Sequence, residues 1–104
     1  MGKNRIIKIL GNIIGNVVVH KILVKYTNKP ESVHHLDEEI GTYRDNALEM
    51  TLEFNWNEND INKIKQEVLK NFSKRIKKYK DVKFPISEVN KLTDDTIKEY
   101  IAFS

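Results

Sequence analysis

The chain has 104 residues, 39% of them apolar and 32% charged, with 4 Gly, 2 Pro and no Cys. That length suits one domain, 1–104, and the balance is that of a soluble globular protein rather than a collagen-like, mucin-like or disordered one. The lack of Cys excludes a disulfide framework, a zinc–thiolate site and a thiol nucleophile, and it suits a cytoplasmic location. The net charge of +3 hides four blocks: +6 over residues 1–30, −8 over 31–60, +7 over 61–83 and −2 over 84–104.

The first segment predicts a helix over about 4–26. Ile6, Leu10, Ile13, Val17 and Val24 fall on one face, with Ile14 and Val18 beside them. Ile7, Ile9, Val19, Ile22 and Leu23 extend the apolar surface well round the helix. Such a helix is either central in its fold or covered by a partner. Lys8, Asn12, Asn16, His20 and Lys21 interrupt the stretch, so no membrane span is expected. A competing strand reading rests on the β-branched run from Val17 and on the turn-like pairs Gly11-Asn12 and Gly15-Asn16.

The second segment, 32–55, carries a heptad of Val33, Leu36, Ile40, Tyr43, Ala47, Met50 and Phe54. Its rival is a strand in which Leu48, Met50, Leu52, Phe54 and Trp56 alternate with polar residues. The heptad spans more of the chain, so helix is preferred. Residues 59–80 form the clearest amphipathic helix, capped by Asn59 or Asp60, with Ile61, Ile64, Val68, Leu69, Phe72, Ile76 and Tyr79 as its stripe. Pro85 stops it and turns Phe84 toward the core. Ser87 then caps a last helix over 87–103, with Ile86 placed to staple onto Leu92. The expected fold is an all-α four-helix up-down bundle, in which the acidic second helix lies between the basic first and third. The alternative is an α+β fold with N-terminal strands or hairpins followed by two C-terminal helices.

No nucleophile elbow, phosphate loop or complete metal motif is present. Cofactors are not expected and an enzyme is disfavoured. Glu31, His34, His35 and Glu38 share helical i+3 and i+4 spacing, the local pattern of carboxylate-bridged metal bundles. Such a site needs ligands from other helices, so two surface histidines at a solvated helix start is the preferred reading.

Two binding surfaces stand out. Gly11 and Gly15 make a flat strip for a second backbone, and Val19, Leu52 and Trp56 extend it off the main stripes. These five residues suggest a homodimer or a protein-docking face, the leading expectation. The alternative is a nucleic-acid-binding face made by Lys63, Lys70, Lys74, Lys77 and Lys78, which could neutralise phosphates without reading sequence.

Overall fold

The structure, a computed structural model, describes residues 2–26, 45, 48–52, 54–80 and 82–101. Three helices organise them: α1 over Lys3–Tyr26, α2 over Glu58–Ile76 and α3 over Ile86–Tyr100. Residues 48–52 are also helical, and no strand occurs among the described residues. The fold is all-α there. The strand readings of 17–27 and 48–56 are overturned where they can be compared, because Val17–Tyr26 and residues 48–52 are helical. Burial outweighs the modest helix penalty of β-branched side chains.

α1 is the central element. Ile6, Leu10, Ile14, Val18 and Ile22 are at most 1% exposed, and Ile7, Val19 and Leu23 on its other sides are also buried. Among the described residues it is the one helix long and apolar enough to cross a membrane, and 67% of its apolar window is buried within the fold. The apolar residues that overflow one face are therefore covered largely by this chain itself. Val24 is an exception, exposed rather than on the core face.

α1 and α2 run in the same direction. Lys3 meets Asp60, Gly11 lies against Glu67, and Gly15 lies against Asn71 and Phe72. The two basic helices thus touch directly, and the expected separation by an acidic helix does not hold along this seam. The glycines explain the close approach. A Cβ on Gly15 would sit 2.9 Å from the Asn71 Cβ and 3.3 Å from the Val68 carbonyl oxygen. Gly11 is tighter still against Glu67. Glycine costs an exposed helix about 1 kcal/mol relative to alanine; here that cost is offset by backbone-to-backbone packing.

α3 lies across both. Ion pairs tie it to α1 through Lys21–Glu99 and Lys25–Glu88, and to α2 through Lys65–Asp94. Thr93 and Thr96 are fully buried. Their hydroxyls donate to the carbonyls of Val89 and Leu92 one turn back, at 2.8 and 2.6 Å. Each polar group is thereby satisfied on its own helix, and a small side chain is left facing the core. Phe84 does fold inward, its ring edge-on to Phe72 at 5.6 Å between centroids.

The helix starts differ from expectation. Asn57, not Asn59 or Asp60, caps α2. Its side chain accepts from the Asp60 amide at 2.8 Å, and Asp60 accepts in return from the Asn57 amide at 3.3 Å. This is the reciprocal box that a cap and its third following residue form. α3 begins at Ile86, behind Pro85 and with no side-chain cap. Ser87 lies inside the first turn, and Ile86 is 77% exposed rather than stapled to Leu92. The fixed φ of Pro85 sets the entry without a hydroxyl cap.

Candidate functional site

The glycine strip is occupied. Gly11, Gly15 and Val19 are buried, and the backbone that approaches both glycines is α2 of the same chain. Three of the five residues expected to face a partner are therefore interior. Leu52 and Trp56 lie elsewhere. Leu52 is 85% exposed. Trp56 is half-buried, and its indole N–H donates to the Thr51 carbonyl at 2.8 Å. Both line a cleft of about 700 Å³ with Phe54, Tyr100 and Ile101. A smaller depression of about 280 Å³ adjoins it, lined by Ile61, Ile97 and Ile101.

Trp56 also serves the fold. Lys3 Nζ lies 5.5 Å from its ring centre, donates to the Asn55 carbonyl at 2.7 Å and pairs with Asp60 at 2.7 Å. The Lys3 ammonium, with help from the Asn57 amide, holds the Asp60 carboxyl below the usual carboxylate range. This cluster pins the start of α1 to the start of α2. At the other end of α1, the hydrogen bond between Lys25 and Glu88 raises the pKa of the lysine and lowers that of the glutamate.

The lysine face has another character. Lys63, Lys70, Lys74, Lys77 and Lys78 are all exposed, as are Lys80 and Lys83 beyond the helix. The ion pairs among the described residues engage Lys3, Lys21, Lys25 and Lys65, and none of those five. Lys63, Lys70, Lys74 and Lys77 recur at seven, four and three residues, so they form one ridge on α2, away from the buried Ile64, Val68 and Phe72. Glu67 is the one acidic residue between Ile61 and Lys80, and it is turned toward the glycine seam. Arg75 flanks the ridge. Its Nη2 donates to Asn12 Oδ1 of α1 at 2.7 Å, a neutral partner that leaves the guanidinium charge in place. The Asn12–Arg75 link joins two segments 63 residues apart. Sequence reasoning missed it, although the spacing of Arg5, Lys8 and Asn12 on one side of α1 was a usable signal.

The cluster Glu31, His34, His35 and Glu38 lies outside the described residues. Among those described, no group of three or more potential metal ligands occurs. Comparison with family models, with curated proteins and with solved structures found no match.

Proposed function

We propose that this chain is a small cytoplasmic binding module that engages nucleic acid through the lysine ridge of α2. The observation that carries the reading is the contrast in pairing. Lys3, Lys21 and Lys25 on α1 and Lys65 on the inner flank of α2 reach carboxylates, whereas Lys63, Lys70, Lys74, Lys77 and Lys78 stand exposed without one among the described residues. Unpaired ammonium groups on a rigid helix are positioned to replace the counterions of a phosphate backbone. We read the fold beneath it as a four-helix up-down bundle. The parallel course of α1 and α2 fits the alternation of such a bundle, with the two packed directly on each other rather than set across a diagonal.

Fluorescence anisotropy with a labelled oligonucleotide across a salt series tests the reading. Five phosphate contacts give a slope of log affinity against log salt of about −4.5 on a duplex. Lys70→Glu with Lys74→Glu should weaken binding and make that slope shallower. Absence of binding at low salt would sink the reading.

A second reading is favoured by one observation, the exposure of Leu52 beside the Trp56 cleft. It makes that end of the molecule a docking face for another protein or a second copy. Light scattering and Leu52→Ser would test it: a dimer dispersed by the substitution supports docking, and a wild-type monomer argues against self-association.

A further inference from the structure

The basic surface continues past α2. Arg5, Lys8 and Asn12 follow one another at intervals of three and four residues, and all three are exposed. They form one stripe along α1. Asn12 fixes where that stripe points, because it holds Arg75 of α2. Next to Asn12 in the chain is Gly11, packed against Glu67. The stripe therefore borders the α1–α2 seam, and Lys74 and Lys78 flank Arg75 on the far side. Neither Arg5 nor Lys8 takes part in the ion pairs among the described residues.

We infer that Arg5 and Lys8 form the second row of a two-row phosphate-binding surface, and that its ligand is double-stranded nucleic acid held by both backbones. The inference rests on the nucleic-acid reading of the α2 ridge and extends it. Two arguments select the duplex. Packed helices set their axes about 8–10 Å apart, and the two basic rows project from neighbouring axes. A duplex presents two phosphate rows across grooves of about 6–12 Å, whereas a single strand presents one. The second argument concerns stacking. Single-strand binders expose aromatic rings along the basic groove. Here Phe72 is buried against Phe84, Tyr79 is packed on the core, and Trp56 is engaged by Lys3 at the start of α2. The contacts available are to phosphates, so recognition is of shape and charge rather than of sequence.

The test uses the full chain, a short labelled duplex and either of its strands alone, from about 50 to 200 mM salt. The duplex should bind more tightly than the strand, and duplexes of different sequence should bind alike. Arg5→Gln with Lys8→Gln should make the duplex salt slope shallower by about 2, with circular dichroism unchanged. An unchanged slope, or a strand bound as tightly as the duplex, overturns the inference. Lys70→Gln with Lys74→Gln separates the two levels. If this variant weakens binding while the α1 variant does not, the ridge stands and the second row falls. If no nucleic acid binds, or only vesicles of anionic phospholipid do, both fall.

Discussion

Two basic helices lie side by side in this molecule, and their cations meet different fates. On α1, Lys3, Lys21 and Lys25 each reach a carboxylate: Asp60, Glu99 and Glu88. On α2 and its last turn, Lys65 pairs with Asp94, while Lys63, Lys70, Lys74, Lys77 and Lys78 pair with nothing among the described residues. Position explains the split. α1 is central, so Lys3 emerges beside the start of α2 and Lys21 and Lys25 along α3, where acids wait, while Lys8 near the seam meets solvent. α2 is peripheral, and its outer face meets solvent. Lysine abundance is thus a poor guide to a binding surface, and the distribution of ion pairs is a better one.

The comparison depends on the seam that brings the helices together, and the largest effect comes from closing it. A methyl group on Gly11 would overlap the Glu67 side chain, with the Glu67 carbonyl carbon and Cα at 3.2 and 3.3 Å behind it. Gly11→Ala should therefore destabilise the fold by about 2 kcal/mol, an overpacking cost. Helix propensity alone predicts the opposite sign, a gain of about 1 kcal/mol. Urea denaturation distinguishes the two at once. A more stable Gly11→Ala would mean that the helices do not approach as described.

A smaller effect is expected at the Lys3–Asp60 anchor. Asp60 accepts from both Lys3 and the Asn57 amide. Asp60→Ala should cost about 2 kcal/mol or slightly less, the range for hydrogen bonds to charged groups. It also removes a pH dependence whose sign is fixed. The folded-state pKa of Asp60 lies below its ordinary value. Its contribution is therefore present above the unfolded pKa of about 3.9 and lost as pH falls through the lower folded value. Thermal melts from neutral to acid pH should show wild type losing more stability below about pH 4 than Asp60→Asn. Parallel losses in the two proteins would remove Asp60 from the acid response.

Much of the fold was legible because periodicity and stop signals are local. Pro85 marked the boundary between α2 and α3, and the Ile64–Val68–Phe72 stripe marked the buried face of α2. The excess apolar surface of α1 left two readings open, a central helix or one covered by a partner, and its burial within this chain favours the first. Its partner was harder to read. Gly11 and Gly15 announce close backbone approach but do not name the backbone, and here it is α2 of the same chain rather than a second copy. The pairing of individual lysines was not legible either. It depends on which helix ends meet, as Lys3 and Asp60 do across 57 positions. The cap of α2 could have been found, since Asn57 and Asp60 have box spacing. The first asparagine before the apolar run was a more visible candidate than the one two residues earlier.

The finest discrimination comes from equal substitutions on the two helices. Lys21 Nζ donates to Thr96 Oγ1 at 2.9 Å and to Glu99 at 3.0 Å. Lys21→Gln should lower stability by about 1 kcal/mol. In a domain of this size that is a fall of roughly 4–8 °C in melting temperature. Lys70→Gln has no such bond to lose among the described residues. Its effect should stay within about 0.5 kcal/mol, the range for surface changes away from specific contacts. Removing one charge from a like-charged ridge relieves some repulsion, so the small change should favour stability. The same variant should bind nucleic acid more weakly, with a salt slope shallower by about 0.9. A Lys70→Gln protein that melts as low as Lys21→Gln would show that the ridge is spent on the fold. Stability retained with affinity lost is the result that a free phosphate-binding face requires.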